Sequence, residues 1–215
     1  MNVALIGSNF GLKGYLPVIK KIKNLKLKII CSRNINKINL KKIDNVEYLP
    51  KWKDVFKKNI DILILAVPPK IQEKILLYNL SYRKKVIFEK PITTNYVKSN
   101  KIVHYIKKKK IKSEINLTYI NHFLFKKVKK IIDNMQLGSV KSYSIVWSVV
   151  SHDLNKKKLS WKINESQGGG LKNIFLTHTL SYCQFFFGKI KLDFFKTKKK
   201  KIKGINFKKK IFCML

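Results

Sequence analysis

The chain has 215 residues, 45% of them hydrophobic, enough for a packed core and for one large domain or a domain and a half. Lys and Arg number 48 against 11 Asp and Glu, a formal net charge of +37 that attracts polyanions without regard to sequence. The lysines run along the whole chain between apolar residues, as at Lys20-Lys21, Lys57-Lys58, Lys84-Lys85 and 107–110, which argues against a dedicated nucleic-acid binder with its charge gathered on one face or tail.

Residues 3–6 are a short apolar run closed by Gly7, the pattern of a buried strand ending in a turn. Gly7-Ser8-Asn9-Phe10-Gly11-Leu12 follows, then Leu16, Pro17, Val18, Ile19 and Ile22 at the spacing of a helix's buried stripe. Strand, glycine turn and helix in that order outline a dinucleotide-binding fingerprint. Such a turn needs glycine where the chain bends sharply and where backbone approaches the pyrophosphate, and the helix N-terminus then faces the anion. Gly7 fits the first position; Asn9 and Leu12 stand at the second and third, and asparagine accepts positive φ more readily than most residues.

A second strand is expected at 27–31, followed by Ser32 and Arg33. An acidic residue there would bind the ribose hydroxyls of NAD, whereas Ser-Arg suits the 2′-phosphate of NADP, so NADP is expected ahead of NAD. The alternative is a solvated turn arginine. A short strand at 46–48 and a short helix at 52–56 come next. The run 60–67 is the clearest central strand and ends at Pro68-Pro69; it is followed by a helix at 71–80, a strand at 85–88 and a helix at 95–108.

Strands alternating with helices require a parallel sheet, because each parallel crossover needs a connecting element. Beyond about residue 115 the pattern changes. A strand is expected at 115–120, a helix at 124–135 and a long strand at 140–150; Gly168-Gly169-Gly170 then opens a helix at 171–187, ended by Gly188. From Lys189 onward, lysines interspersed with single apolar residues predict a tail of low order. The expected fold is α/β: an N-terminal Rossmann doubly wound parallel sheet over 1–115, a partial α+β second domain over 116–188 and a basic tail over 189–215.

Taken in order, Leu16-Pro17, Ala66-Val67-Pro68-Pro69, Glu89-Lys90-Pro91, Leu137-Gly138-Ser139-Val140 and the triple glycine with His178 resemble the glucose–fructose oxidoreductase and inositol dehydrogenase family (Gfo/Idh/MocA) over residues 1 to about 188. The resemblance implies an NAD(P)-dependent oxidoreductase. Hydride would pass between a nicotinamide cofactor and a hydroxyl carbon of a sugar, polyol or related compound. It implies cofactor contacts from Gly7, Ser8, Asn9, Phe10, Gly11, Ser32, Arg33, Ala66, Val67, Pro68, Glu89 and Lys90. Lys90 would relay the hydroxyl proton or stabilise alkoxide charge, Glu89 would hold the nicotinamide ribose, and Pro91 would fix the backbone leaving the strand.

His178 would be the second catalytic residue, orienting substrate. The family usually carries an Asp four residues earlier and often an acid three residues later, where this sequence has Ile174 and Ser181. These departures keep open an inactive, nucleotide-binding member. Family members are longer, so the resemblance also implies a C-terminally shortened chain whose sheet edges favour homo-oligomers through the second domain. Tyr182, Phe185, Phe186 and Phe187 read as core or interface, and His104, His122 and His152 as surface or packing residues.

The cysteines Cys31, Cys183 and Cys213 are odd in number and far apart, against a disulfide framework or zinc site. No run approaches the roughly 18 apolar residues of a membrane span, and the N-terminus enters a strand without a signal-peptide pattern. A cytoplasmic protein without metal is expected.

Overall fold

In the computed structural model the described residues are 1–35, 43–148, 160–191, 193–202 and 205–214, with backbone alone from 199 onward. They form two units, Met1–Asn116 and Leu117–Leu215. The first is built on strands β1 (Asn2–Ile6), β2 (Lys26–Cys31), β3 (Glu47–Leu49), β4 (Ile62–Leu65), β5 (Lys85–Glu89) and β6 (Ser113–Asn116). All pairings are parallel, and the order β3-β2-β1-β4-β5-β6 is that of a Rossmann sheet.

Successive side chains of β1 and β4 supply both faces of this sheet, because a strand alternates with period two. Ala4, Ile6, Leu63 and Leu65 face one side, with Val86 and Phe88 of β5, beneath helices α2 (Trp52–Val55), α3 (Pro69–Tyr82) and α4 (Tyr96–Lys108). Val3, Leu5, Ile62 and Ile64 face the other, against Leu16 and Ile19 of α1 (Leu16–Lys21). Burial on both faces explains why the central strands read as unbroken apolar runs. Leu65 is fully buried. Leu65→Ala is therefore expected to cost about 2–5 kcal/mol, read as a lower urea midpoint with an unchanged slope.

The expected strand at 115–120 is displaced. β6 starts at Ser113 and stops at Asn116, pairing Ser113 with Val86 and Asn116 with Glu89. As an edge strand it tolerates the exposed Ser113 and Glu114, which an apolar pattern passes over. It belongs to the first unit.

The second unit contains α5 (Phe123–Asp133), two 3-10 turns at Trp161–Ile163 and Glu165–Gln167, a π-helical turn at Lys172–Leu176, α6 (Thr177–Phe187), and strands β7 (Phe194–Ile202) and β8 (Ile205–Met214). Two expectations are corrected. The long strand at 140–150 does not form over 140–148, and 149–150 lie outside the described residues. Its β-branched and aromatic content suits a sheet, but no described strand pairs with it, and Val146 is 86% exposed. The tail, expected to have low order, holds the antiparallel β7–β8 pair instead. Two extended runs satisfy each other's backbone groups there even though lysines stand opposite lysines, Lys198 facing Lys210 and Lys199 facing Lys208.

Candidate active site at the carboxyl edge of the sheet

The order of the strands reverses at β1 and β4, the place where open α/β sheets bind ligands beyond their carboxyl ends. Gly7 leaves β1 there with φ +117°, and a Cβ on it would lie 2.1 Å from the Ala66 carbonyl oxygen. The Gly7 N–H donates to the Cys31 carbonyl at 2.8 Å, and the Ala66 N–H donates to the Ile6 carbonyl at 2.8 Å. The ends of β2, β1 and β4 are thus tied into one ledge.

Asn9, Phe10 and Gly11 climb from the ledge into the π-helical turn Gly11–Tyr15 that precedes α1. The Lys13 N–H donates to the Asn9 carbonyl at 3.4 Å, the first backbone bond of the turn. Gly11 is buried, and a Cβ there would sit 3.3 Å from Leu5 Cδ1 and 3.4 Å from Ala66 Cβ. Close packing of helix on strand, the task of a late glycine in such a turn, falls to Gly11. Leu12 instead packs against the Val3 and Leu5 side of the core. Phe10 is half exposed and meets Tyr15 edge-on at 5.7 Å. These residues suit the pyrophosphate of a dinucleotide.

At the end of β2 the Ser8 and Ser32 hydroxyls lie 2.8 Å apart, and Arg33 beyond them is exposed. Cys31 is buried, and burial, then the Asp54 charge, pushes its thiol up to about 12. On the other side, Val67 and Pro68 carry the chain from Ala66 into α3.

Glu89 ends β5, and Lys90, partly buried, follows it with a cis bond to Pro91. Tyr15 donates its hydroxyl to Glu89 Oε1 at 2.5 Å, and Asn116 Nδ2 donates to the same oxygen at 2.8 Å. Burial, then the hydrogen bond to the Glu89 carboxylate, raises the Tyr15 phenol far above its usual value, so it stays a donor. Gln72 Nε2 donates to the Glu89, Pro91 and Ile92 carbonyls at 2.7, 3.2 and 3.0 Å, and Gln72 Oε1 accepts the Glu89 N–H at 2.9 Å. Thr93, also buried, donates to the Asn95 carbonyl at 2.8 Å, and Asn95 caps α4 by accepting the Lys98 N–H.

Sequence reasoning passed over Tyr15, Gln72 and Asn116. The signal for Gln72 lay in α3, where Gln72, Ile75, Leu76 and Asn79 share the buried stripe at helical spacing. A polar side chain on such a stripe has buried hydrogen-bond partners to find.

His178, on α6 in the second unit, stands among aromatic rings. It meets Tyr119 edge-on at 5.0 Å and lies nearly parallel to Tyr182 at 6.2 Å and Trp147 at 6.4 Å. Ser181 donates its hydroxyl to the His178 carbonyl at 2.7 Å, so it supports the helix. Burial raises the Tyr182 phenol above its usual value. The triple glycine has packing reasons of its own: a Cβ on Gly169 would fall 2.0 Å from the Trp161 carbonyl oxygen, and one on Gly170 would fall 2.7 Å from Glu165 Cγ. Lys90 and His178 belong to different units.

A six-stranded Rossmann sheet with a glycine-built ledge at its switch point and a Glu-Lys-Pro turn on the next strand defines a dinucleotide-binding unit of the oxidoreductase type. The chain belongs to the Gfo/Idh/MocA oxidoreductase family with its NAD-binding Rossmann fold, whose model matches residues 1–116. It is 26% identical over 132 residues to an uncharacterized oxidoreductase of Schizosaccharomyces pombe, a match spanning 60% of this chain and 35% of that protein. An oxidoreductase of Formosa agariphila is 24% identical over 134 residues, 61% of this chain and 42% of the relative. The chain therefore spans well under half the length of the curated relatives it matches.

The fold is similar to that of the WlbA dehydrogenase from Bordetella pertussis in complex with NADH and UDP-GlcNAcA, with a TM-score of 0.78 at 16% identity over 92% of this chain and 61% of that one. An oxidoreductase from Desulfitobacterium hafniense, described by its sequence as NADPH-dependent, gives 0.75 at 20% identity over 94% and 59%. No helix among the described residues is long and apolar enough to cross a membrane.

Proposed function

We propose that the chain binds a nicotinamide dinucleotide along the carboxyl edge of β1, β2, β4 and β5, and exchanges hydride with a hydroxyl carbon of a sugar, polyol or related small molecule. The observation that carries this reading is the Glu89-Lys90-Pro91 turn, held on β5 beside the Gly7–Ala66 ledge by hydrogen bonds from Tyr15, Gln72 and Asn116. The cofactor, when bound, supplies or accepts the hydride. Gly7, Ser8, Asn9, Phe10 and Gly11 would receive its pyrophosphate, Ser32 and Arg33 its adenosine ribose, and Ala66, Val67 and Pro68 would border the nicotinamide half. Glu89 would steady the nicotinamide ribose through its carboxylate, already oriented by Tyr15 and Asn116. Lys90 would take the hydroxyl proton as the carbinol is oxidised, or return it in the reverse direction. His178 would orient substrate. The reading includes a cytoplasmic setting and self-association through the second unit, where Phe123 and Leu137 are exposed.

Arg33 favours NADP, because a guanidinium offers paired donors to the 2′-phosphate. Arg33→Ala should lower NADPH affinity by roughly ten- to a hundredfold, the worth of charge-assisted hydrogen bonds of about 1.5–3 kcal/mol, while NADH affinity stays as it was. Titration followed by nicotinamide fluorescence at low and moderate salt measures both. Binding of neither cofactor to the unaltered protein would defeat the functional reading, and binding abolished by modest salt would mark mere charge attraction.

A second reading, a nucleotide-binding protein without turnover, is favoured by Ile174 in the place of the family's acid and by the aromatic packing around His178. It predicts cofactor binding with no oxidation of NADPH by carbonyl compounds and no reduction of NADP+ by sugars or polyols.

A further inference from the structure

Gln72 is fully buried, and its side-chain amide is spent on one short stretch of chain. It gives hydrogen bonds to the carbonyls of Glu89, Pro91 and Ile92 and takes one from the Glu89 N–H. Lys90 is the residue bracketed by these contacts. Gln72 also sits in the first turn of α3, its own N–H donating to the Pro68 carbonyl at 2.9 Å. One side chain thus fastens the Ala66-to-Pro69 strand end to the Glu89-to-Pro91 turn, seventeen to twenty residues further along the chain.

Beyond Glu89 the ladder between β5 and its neighbours ends, β4 pairing only up to Phe88 and β6 only up to Glu89. The carbonyls of Pro91 and Ile92 therefore lie past the sheet, and the Gln72 amide donates to both. An amide is suited to this because it presents donors and an acceptor from one planar group. We infer that Gln72 is a positioning residue: by fixing the backbone on both sides of Lys90 it sets where the lysine ammonium stands relative to a bound nicotinamide. This rests on the proposed role of Lys90, since Gln72 touches neither cofactor nor substrate in that reading. The ledge proposed to receive the pyrophosphate is built from other strands, and the Glu89 carboxylate is held by Tyr15 and Asn116, so most of the cofactor affinity should survive loss of the Gln72 amide.

Two variants of the full chain test this. Gln72→Met keeps length and burial but loses every side-chain hydrogen bond. Gln72→Glu keeps the acceptor for the Glu89 N–H and sets a carboxylate against three carbonyls. In Gln72→Met, amide hydrogen exchange at Glu89 should quicken by about tenfold, the worth of one hydrogen bond, while Leu63 and Leu65 exchange as before. NADPH affinity should fall by no more than a few-fold, and turnover per folded molecule should drop by about a hundredfold, as expected when a reacting group is misplaced by an ångström. In Gln72→Glu, turnover should recover toward acid pH, where the protonated side chain can donate again, and fall as pH rises.

Unchanged Glu89 exchange in Gln72→Met would overturn the inference, as would unchanged turnover. A loss of turnover matched by an equal loss at every pH in Gln72→Glu would reduce Gln72 to packing. Should the unaltered protein bind NADPH without turnover, the role of Lys90 falls first. The Glu89 exchange rate then decides whether Gln72 holds the turn.

Discussion

Replacing Gly7 with alanine should destabilise the first unit by about 2–6 kcal/mol, a large part of the 5–15 kcal/mol of a typical domain. Two costs combine. The backbone stands at φ +117°, which a side chain rarely adopts, and the added methyl would lie 2.1 Å from the Ala66 oxygen and 2.6 Å from its carbonyl carbon. Ala66 cannot yield cheaply, since its N–H is bonded to Ile6 and it leads into Pro68 and Pro69. Gly138→Ala is the control: Gly138 has φ +73° but nothing within 4 Å of the added carbon, so it should bear the strain alone. Urea unfolding of both variants makes the comparison, and a wild-type midpoint for Gly7→Ala would show that the ledge can shift.

Lys90→Ala should lower turnover by about 10²–10⁴-fold, the usual worth of a positioned proton-transfer group, with cofactor affinity little altered. The separation of the two effects follows from the architecture. In the proposed reading the pyrophosphate and adenosine ribose would meet the β1 turn and the β2 end, whereas Lys90 stands just past the end of β5. Lys90→Arg sharpens the test. It keeps the positive charge but not a proton that can be released near neutral pH, so it should bind cofactor normally and remain slow. Steady-state NADPH oxidation gives the rate, fluorescence titration gives the affinity, and a rate undiminished in Lys90→Ala would remove Lys90 from the chemistry.

Much of the sheet was legible because its strands are buried on both faces. Ile62-Leu63-Ile64-Leu65 and Val3-Ala4-Leu5-Ile6 leave no other place for so many apolar side chains. Gly7 could be read from its place after such a run, and Glu89-Lys90-Pro91 from its order after Ala66-Val67-Pro68-Pro69. What escaped depends on partners distant in sequence. Tyr15 meets Glu89 across 74 positions, and nothing beside either residue announces the other. The segment 140–148 has strand composition without a strand, because a ladder needs a neighbour that local pattern does not contain. The β7–β8 pair shows the reverse: lysine-rich runs become strands once each finds the other.

The carbonyl of Cys31 receives the Gly7 N–H, while its thiol is sealed into the core and kept protonated well beyond neutral pH. A thiol so placed is shut off from oxidants and alkylating reagents as long as the strands around it stay closed. Its rate of modification is thus a clock for the opening of β1 and β2, the two strands that lead into the Gly7 turn and the Ser32-Arg33 corner. A dinucleotide laid across that corner would slow the clock, so Cys31 turns occupancy of the ledge into a chemical signal readable by mass alone.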